Sequence, residues 1–253
     1  MSDNHVIVEH PPAHPGVMVI RLNRPEKKNA ITTAMYGCMT QALRQADNRD
    51  DVRAVVFLGT DGCFSAGNDM ADFLAYAVGG SGRPAAADLL QALATCAKPM
   101  VSGVDGLAIG IGTTLNLHCD MTVASSRSLF RTPFVDLALV PEAASSLIAP
   151  RVMGHQRAFA LLVAGEGFSA EEAREAGIVW KVVAPGQVEA ETLAIAASLA
   201  AKPPRALKIA RDLIRGNGDD VLARMDEELV HFTAQLRSAE ARAAFEAFMS
   251  RKG

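Results

Sequence analysis

Gly62-Cys-Phe-Ser-Ala-Gly-Asn-Asp69 is the stretch that decides how this chain is expected to fold. Residues 52–58 before it form an apolar, β-branched run typical of a buried strand, and residues 71–78 after it have a helical pattern. Small residues therefore fill a strand-to-helix turn, where main-chain N–H groups can point at a ligand without steric hindrance. Taken alone, such a turn is also explained as a tight connection in an α/β fold.

A second turn of the same kind lies downstream, in Gly103-Val-Asp-Gly-Leu-Ala-Ile-Gly-Ile-Gly112. We expect a strand over residues 99–104, which overlaps the start of this stretch, and a helix over residues 113–118 directly after it. Two turns that each offer N–H donors can hold one oxygen atom between them. The pair of turns therefore indicates a binding site built from main-chain groups.

The composition excludes several classes of protein. The chain has 253 residues, 49% of them hydrophobic and 21% charged, which suits one large domain or a domain with a helical appendage. Its net charge of −3 gives no basic surface for nucleic acid or an anionic membrane. The polar N-terminus lacks a signal-peptide pattern, and no apolar run approaches the ~20 residues of a membrane span. We therefore expect a cytoplasmic protein with no nucleic-acid or membrane partner.

The cysteines and histidines do not form a recognisable metal-binding pattern. Four cysteines and six histidines are scattered along the chain, with no Cys-x-x-Cys pair. This pattern suits a reducing compartment and argues against both a disulfide framework and a zinc site. We expect no bound metal.

The order of the predicted elements divides the chain in two. After a hairpin formed by residues 6–9 and 17–22, strands alternate with helices as far as about residue 183. The rest is helical, with helices predicted over residues 188–201, 204–216 and 219–249. We predict an α/β core over residues 1–190, followed by a C-terminal helical region, residues 191–253, that packs on the core or on a partner subunit.

Four motifs occur in a characteristic order and spacing: Asn23-Arg-Pro-Glu-Lys-Lys-Asn-Ala30, Phe64-Ser-Ala-Gly-Asn-Asp69, Gly106-Leu-Ala-Ile-Gly-Ile-Gly112 and Phe168-Ser-Ala-Glu-Glu-Ala173. Together they resemble the crotonase (enoyl-CoA hydratase/isomerase) superfamily over nearly the whole chain. The resemblance implies an α/β fold in which repeated ββα units form a spiral, with a helical C-terminal region that mediates trimers, often paired into hexamers. It also implies acyl-CoA thioester substrates. Coenzyme A would then be part of the substrate, and no separate cofactor is expected.

The chemistry of that family fits the two turns. Removing a proton next to a thioester carbonyl builds negative charge on the carbonyl oxygen, and two fixed N–H donors stabilise that charge. By resemblance, the donors are the main-chain N–H groups of Asn68 and Ile111. Ile111 replaces the glycine that hydratases usually carry, which leaves the N–H in place but makes the wall bulkier. The alternative is that Ile111 is an ordinary residue at the start of a helix.

Two glutamates are typical of the hydratases in this family, and here their positions correspond to Thr114 and Phe134. Neither side chain can act as a general base. Adding water across a double bond requires one group to deprotonate the water and another to protonate carbon. The sequence therefore argues against a hydratase.

The segment Pro133-Phe-Val-Asp-Leu-Ala-Leu-Val-Pro-Glu142 resembles the Δ3,Δ2-enoyl-CoA isomerase branch, in which a glutamate directly after the proline, at the head of a helix, is the base. That residue is Glu142. The alternative explanation is dipole stabilisation by an acid in the first helical turn, worth ~0.3–1 kcal/mol. Apolar neighbours would raise the pKa of Glu142, while a helix N-terminus would lower it. Asp136 is the competing acid, and its extended, alternating segment suggests that it points away to cap or pair.

The resemblance also implies where coenzyme A binds. The adenine and pantetheine would lie along Ala66, Gly67, Asn68, Asp69 and Met70, close to Ile111, with Lys27 or Lys28 near a phosphate. For the lysines, the alternative is a solvated charged turn. Asp69 is expected to hold its own turn by accepting main-chain N–H bonds. The Gly79–Pro84 break would border the acyl tail.

We therefore predict an enzyme, a Δ3,Δ2-enoyl-CoA isomerase of fatty-acid or related acyl-CoA degradation, that forms a homotrimer or a dimer of trimers. Two alternatives stay open. The first is a 2-enoyl-CoA hydratase. The second is a catalytically silent subunit that binds acyl-CoA or serves in assembly.

Overall fold

Ten strands and ten helices follow one another in the described residues, 4–79 and 84–250, of the computed structural model. The strands are β1 (Val6–Glu9), β2 (Val17–Leu22), β3 (Ala54–Leu58), β4 (Cys63–Ser65), β5 (Met100–Val104), β6 (Leu107–Ile109), β7 (Met121–Ser125), β8 (Leu129–Arg131), β9 (Phe168–Ser169) and β10 (Lys181–Val183). The helices are α1 (Thr33–Asp47), α2 (Met70–Gly79), α3 (Ala85–Thr95), α4 (Ile111–Thr114), α5 (Ser145–Leu162), α6 (Ala170–Glu175), α7 (Val188–Ala200), α8 (Pro204–Arg215), α9 (Gly218–Leu236) and α10 (Ala239–Ser250). Residues 80–83 of the predicted Gly79–Pro84 break lie outside the described residues.

The strands alternate between two sheets, and this alternation produces the ββα repeat. One sheet has the order β1-β2-β3-β5-β7-β10, and the other has the order β4-β6-β8-β9. The consecutive pairs β3–β4, β5–β6 and β7–β8 each place their first strand in the larger sheet and their second strand in the smaller one. A helix follows each pair, so the chain advances by one strand in both sheets per repeat. The predicted spiral of ββα units is confirmed.

The larger sheet is buried on both faces, which explains its continuous apolar strands. In β3, Val55 and Phe57 belong to the main hydrophobic core, while Ala54, Val56 and Leu58 belong to a second, smaller cluster. These two sets point to opposite faces because side chains alternate along a strand. Helix α7 covers the smaller cluster, and the remaining core lies on the other face.

Local capping signals in the sequence position two of the helices. The Thr32 hydroxyl accepts a hydrogen bond from the N–H of Met35 at the start of α1. Ser169 and Glu172 form the predicted capping box at the start of α6. Elsewhere the boundaries differ from the predictions. The helix expected over residues 113–118 is the short α4 followed by a 3₁₀ helix, Leu115–His118, and the helix expected over residues 219–249 is broken between α9 and α10.

The C-terminal helices fold back over the core. Helix α9 packs against α3 and α5, and Phe73 of α2 meets Phe232 of α9 and Phe245 of α10 edge-to-face, with ring centroids 5.9 and 6.0 Å apart. The division of the chain at residue 190 stays a prediction. Among the described helices, none combines the length and the apolar character needed to cross a membrane.

Helix α8 places its charged side against the protein. Arg211 and Arg215 both bind the Asp120 carboxylate, and Arg215 also donates to the carbonyl of His118. As a result its apolar side faces outward: Ile209, Leu213 and Ile214 are 51%, 79% and 86% exposed. This is the reverse of an ordinary surface helix, whose apolar side faces the core.

Asn29 connects the loop after β2 to β4. Its buried side-chain amide donates to the carbonyls of Cys63 and Phe64, at 2.9 and 3.1 Å, and its Oδ1 accepts from the N–H of Arg24 at 2.7 Å. The residue has a left-handed φ of 52°, which asparagine tolerates better than most residues. Asn29 thus fixes the loop that lies beside the first glycine-containing turn.

We predict that Asn29→Ala lowers the free energy of unfolding by about 2–4 kcal/mol, because it leaves buried polar main-chain groups without partners. Urea unfolding at neutral pH measures the change. The exposed Asn48, at the end of α1, is the matched control, and Asn48→Ala should change stability by no more than about 0.5 kcal/mol. Equal effects of the two substitutions would contradict the role assigned to Asn29.

Candidate active site

The two glycine-containing turns lie side by side. Strands β4 and β6 are parallel neighbours, with Cys63 opposite Leu107, so the segments that follow them run next to each other. A Cβ on Gly67 would come within 2.9 Å of the carbonyl oxygen of Ile109, and one on Gly112 would come equally close to that of Ser65. Glycine at both positions therefore allows the two turns to approach.

Each turn presents a main-chain N–H without a protein partner. The N–H of Ile31 donates to the carbonyl of Gly67, and the carbonyl of Ile31 accepts from the N–H of Asp69. Neither of these two hydrogen bonds uses the N–H of Asn68, which lies between them in the chain. Ile111 is the first residue of α4, where helical N–H groups have no acceptor within the helix. Among the residues that the structure describes, neither N–H has a hydrogen-bond acceptor. Both donors are free to bind a ligand oxygen, while the Ile111 side chain is buried in the core.

The Asn68 turn is held from both sides. The buried phenol of Tyr36, in α1, donates to Asn68 Oδ1 at 2.6 Å. Asp69 accepts from the N–H of Ala71 at 2.9 Å, as predicted, and pairs with Arg24 at 2.6 Å. Burial alone would raise the pKa of the Asp69 carboxyl, but the hydrogen bonds from Arg24 and from main-chain N–H groups lower it below its usual value. Asp69 is therefore an ionised anchor of the turn.

Glu142 points inward and is bound to the helix that carries Ile111. The Thr114 hydroxyl, three residues after Ile111 in α4, donates to Glu142 Oε1 at 2.5 Å. Thr114 itself is fully buried. By the family resemblance, Thr114 occupies the position expected of the first glutamate of a hydratase, and its hydroxyl donates to the Glu142 carboxyl.

The environment of Glu142 favours the protonated acid. The residue keeps some exposed surface, but burial of its carboxyl is the main cause that raises its pKa to about 8. The hydrogen bond from Thr114 opposes this shift, and the nearby Glu228 carboxylate adds to it. Burial, and then the charge of Glu142, also raise the pKa of Tyr36 well above its usual value. Tyr36 thus faces both Glu142 and Asn68, and a carboxyl with a pKa near neutrality can both accept and return a proton.

A small cavity of about 30 Å³, room for about one water molecule, lies next to Glu142. It is lined by residues of α3 and α9 together with the Glu142 turn: Ala87, Leu90, Glu142, Ala143, Met225, Asp226, Glu228, Leu229 and Phe232. Two larger surface depressions, of about 260 and 340 Å³, lie along α1 and α3 and contain none of the predicted site residues. The smaller cavity combines carboxyl groups with an apolar wall beside Glu142, and its lining includes neither Asn68 nor Ile111.

The structure changes one expectation about Glu142 and supports one about Asp136. The helix after Glu142 begins only at Ser145, because Ala143 and Ala144 have left-handed φ values of 63° and 51°. Glu142 is therefore not in the first turn of a helix, and dipole stabilisation does not explain it. Asp136 lies in a 3₁₀ helix, Val135–Leu137, rather than in an extended segment. It pairs with Arg131 at 2.9 Å on the surface, which confirms the expected pairing.

The residues predicted to bind coenzyme A lie together, although their role stays a prediction. The N–H of Ala66 donates to the carbonyl of Lys28 at 2.8 Å, so the lysine-containing turn touches the segment 66–70. The side chains of Lys27 and Lys28 are exposed. Met70 begins α2, next to Asp69.

Three side chains of the site escaped prediction: Thr114, Tyr36 and Glu228. The sequence presents Thr114 only as the position of a missing glutamate, although a hydroxyl can donate to a carboxylate. Tyr36 and Glu228 lie in helices outside the motifs, and their positions in the site depend on tertiary packing. No local pattern in the sequence distinguishes them.

Comparison with known proteins gives relatives over nearly the whole chain. The family profile described as enoyl-CoA hydratase/isomerase matches residues 13–252. "Enoyl-CoA delta isomerase 2" of Rattus norvegicus is 35% identical over 243 residues, which are 94% of this chain but only 62% of that protein. The "1,2-epoxyphenylacetyl-CoA isomerase" of Escherichia coli (strain K12) is 31% identical over 94% of this chain and 93% of its own length. An enoyl-CoA hydratase/isomerase from Pseudoalteromonas atlantica T6c superimposes with a TM-score of 0.91, at 38% identity and 98% coverage of both chains.

We predict that Glu142→Gln stabilises the protein at alkaline pH. The pKa of about 8 in the folded state exceeds the ordinary value of 4.5, so the stability of the wild type is fully present below pH 4.5 and is lost as the pH rises towards 8. A neutral glutamine removes this loss. Urea unfolding should show a gain on the order of 2 kcal/mol at pH 8 and little difference at pH 4.5.

The surface acid of the same loop provides the control for this experiment. Asp136→Asn should leave the dependence of stability on pH unchanged, because a surface ion pair contributes only about 0–1 kcal/mol. A Glu142→Gln protein that is destabilised equally at both pH values would contradict the desolvation of Glu142.

Proposed function

Because the chain belongs to the enoyl-CoA hydratase/isomerase family, we propose that it is an isomerase that moves a carbon–carbon double bond of an acyl-CoA thioester from the 3-enoyl to the 2-enoyl position. Fatty-acid or related acyl-CoA degradation would be its setting. The names of the rat and Escherichia coli relatives describe isomerases of CoA thioesters, which supports this class of reaction. The chain spans less than two thirds of the rat protein, so this activity is proposed for the present chain on its own residues.

In the proposed reaction, Glu142 removes a proton from C2 of the 3-enoyl thioester. The electron pair of the broken C–H bond moves into the conjugated system and places negative charge on the thioester oxygen. The free N–H groups of Asn68 and Ile111 donate hydrogen bonds to that oxygen. Glu142 then returns its proton to C4, which leaves the double bond between C2 and C3. One carboxyl group serves both steps, and no separate cofactor takes part.

The observation that carries the proposal is the desolvated carboxyl of Glu142, which is bound to the helix of Ile111. Thr114 holds the Glu142 side chain at 2.5 Å, and Ile111 lies one helical turn earlier. The two positions where hydratases carry glutamates hold Thr114 and a buried Phe134. Glu228, the other buried carboxyl beside Glu142, is already hydrogen-bonded to Ala144 and Ser146. Glu142 is then the one group proposed to move protons, which suits transfer between two carbons better than the addition of water.

The proposed assembly is a homotrimer or a dimer of such trimers. The support is the outward apolar side of α8, formed by Ile209, Leu213 and Ile214, since contiguous exposed apolar patches mark interaction surfaces. The charged side of the same helix is already bound to Asp120. The helix therefore offers its apolar residues to a partner rather than to its own core.

We predict that the protein converts a 3-enoyl-CoA to the conjugated 2-enoyl thioester. The absorbance of this conjugated product measures the reaction. Glu142→Gln should lower kcat by about 10³-fold, since general acid–base groups typically contribute 10²–10⁴. Asp136→Asn should retain the wild-type rate within about twofold. Water addition to a 2-enoyl-CoA would favour the hydratase, and binding of the thioester without turnover would favour the silent subunit.

We predict that Leu213→Lys dissociates the assembly, because it places a charge in an apolar interface. Light scattering after gel filtration should give a trimer or its dimer for the wild type and a smaller species for the variant. Lys208→Ala, on the same helix but at a charged surface position, should keep the wild-type mass. A monomeric wild-type protein would contradict the proposed trimer.

A further inference from the structure

Glu228 in α9 is a buried carboxyl that accepts hydrogen bonds from the turn that carries Glu142 and from the start of α5. Its side chain accepts the N–H of Ala144 at 2.6 Å and the N–H and hydroxyl of Ser146 at 3.0 and 2.6 Å. The residue is only 6% exposed. We propose that Glu228 is a positioning residue, which fixes the Glu142 turn and opposes the negative charge of Glu142, and this inference rests on the proposed function.

The turn needs such a hold because its backbone is strained. Ala143 and Ala144 are consecutive non-glycine residues with left-handed φ values, a conformation that costs on the order of 1 kcal/mol or more for each residue. The bond from the Ala144 N–H to Glu228 fixes one of them. The carbonyl of Ala143 is bound by Nε2 of His118 at 2.8 Å. The strained pair is thus held between α9 and the 3₁₀ helix Leu115–His118.

His118 is a neutral partner in this arrangement. Burial is the main cause that lowers its pKa to about 4, so the ring is uncharged near neutral pH. A neutral ring that binds a carbonyl through Nε2 carries its proton on that nitrogen. Among the described residues, Glu228 is then the one carboxyl group that accepts hydrogen bonds from Ala144 and Ser146.

The charges around the two acids define what removal of Glu228 would do. Glu142 faces Tyr36 from α1, Thr114 from α4, and Glu228 and Asp226 from α9, while α3 contributes only apolar Ala87 and Leu90 to the shared cavity. Burial raises the pKa of Glu228 above its usual value, against hydrogen bonds from Ser146 and Ala144 and the charge of Arg224.

Because like charges oppose each other's ionisation, loss of the Glu228 charge should make Glu142 easier to ionise.

Glu228→Gln tests the hold on the turn without using activity. The amide oxygen of glutamine can still accept one N–H, but its NH₂ group faces the other donor, so at least one bond is lost. Hydrogen exchange followed by mass spectrometry should show exchange at least about tenfold faster in the peptide covering residues 143–148. Glu227→Gln, at the neighbouring exposed position of α9, should leave this exchange unchanged. Unchanged exchange in Glu228→Gln would overturn the proposal.

Kinetics with a 3-enoyl-CoA test the link to Glu142. We expect Glu228→Gln to lower kcat by about ten- to a hundredfold, because small misplacements of a reacting group carry costs of this size, with little change in KM. The acidic limb of the pH profile of kcat should move to lower pH. Glu228→Asp keeps the charge but shortens the side chain, so it should lower kcat and leave the limb in place. A uniform loss of kcat in Glu228→Gln, with no movement of the limb, would overturn the electrostatic part.

The two readouts separate this inference from the proposed function. A wild-type protein that does not isomerise 3-enoyl-CoA refutes the proposed function, and faster exchange in Glu228→Gln would still support the hold of Glu228 on the turn. An active wild type, combined with wild-type kinetics in Glu228→Gln, refutes the positioning role alone. If Glu228→Gln does not fold, Glu228→Asp provides the same exchange measurement.

Discussion

The carboxyl of Glu142 is kept out of water, and the rest of the site is organised around that constraint. A buried carboxyl resists ionisation, so it needs a donor that orients it and a surrounding that tolerates its proton. Thr114 provides the donor, and the apolar residues of α3 and α9 provide the surrounding. The two sheets contribute by placing the turns of Asn68 and Ile111 next to each other. The fold therefore places the Glu142 carboxyl against Thr114 of α4, the same short helix whose first residue, Ile111, follows the second glycine-containing turn.

The C-terminal helices belong to this site as much as to the surface. Helix α9 supplies one wall of the cavity, and its Glu228 binds the turn on which Glu142 lies. Phe232 and Phe245 pack against Phe73, next to the segment predicted to bind coenzyme A. Because α9 lines the cavity beside the Glu142 carboxyl, it contributes to the burial of that carboxyl. The residues of the candidate site therefore come from both the α/β core and the C-terminal helices.

The sequence predicts the fold well where local signals dominate. The capping residues Thr32 and Ser169 mark helix starts, and the glycine-containing turns mark the ends of β4 and β6 because their close approach excludes larger side chains. Glu142 is predicted from a motif, but its surroundings are not. The bond from Thr114 spans 28 residues, and the bond from Ala144 to Glu228 spans 84. The left-handed alanines that delay α5 depend on this distant contact, so propensity alone predicts a helix there.

Helix α8 turns its apolar side outward, which is unusual for a free surface helix, and this orientation would make activity sensitive to dilution. Arg215, on its inward side, binds the carbonyl of His118, whose ring binds Ala143 beside Glu142. A neighbour that covers Leu213 and Ile214 would also immobilise this relay. Under the proposed assembly and reaction, separated subunits would hold Glu142 less firmly before they unfold, so specific activity would fall as the protein is diluted while helical content stayed constant.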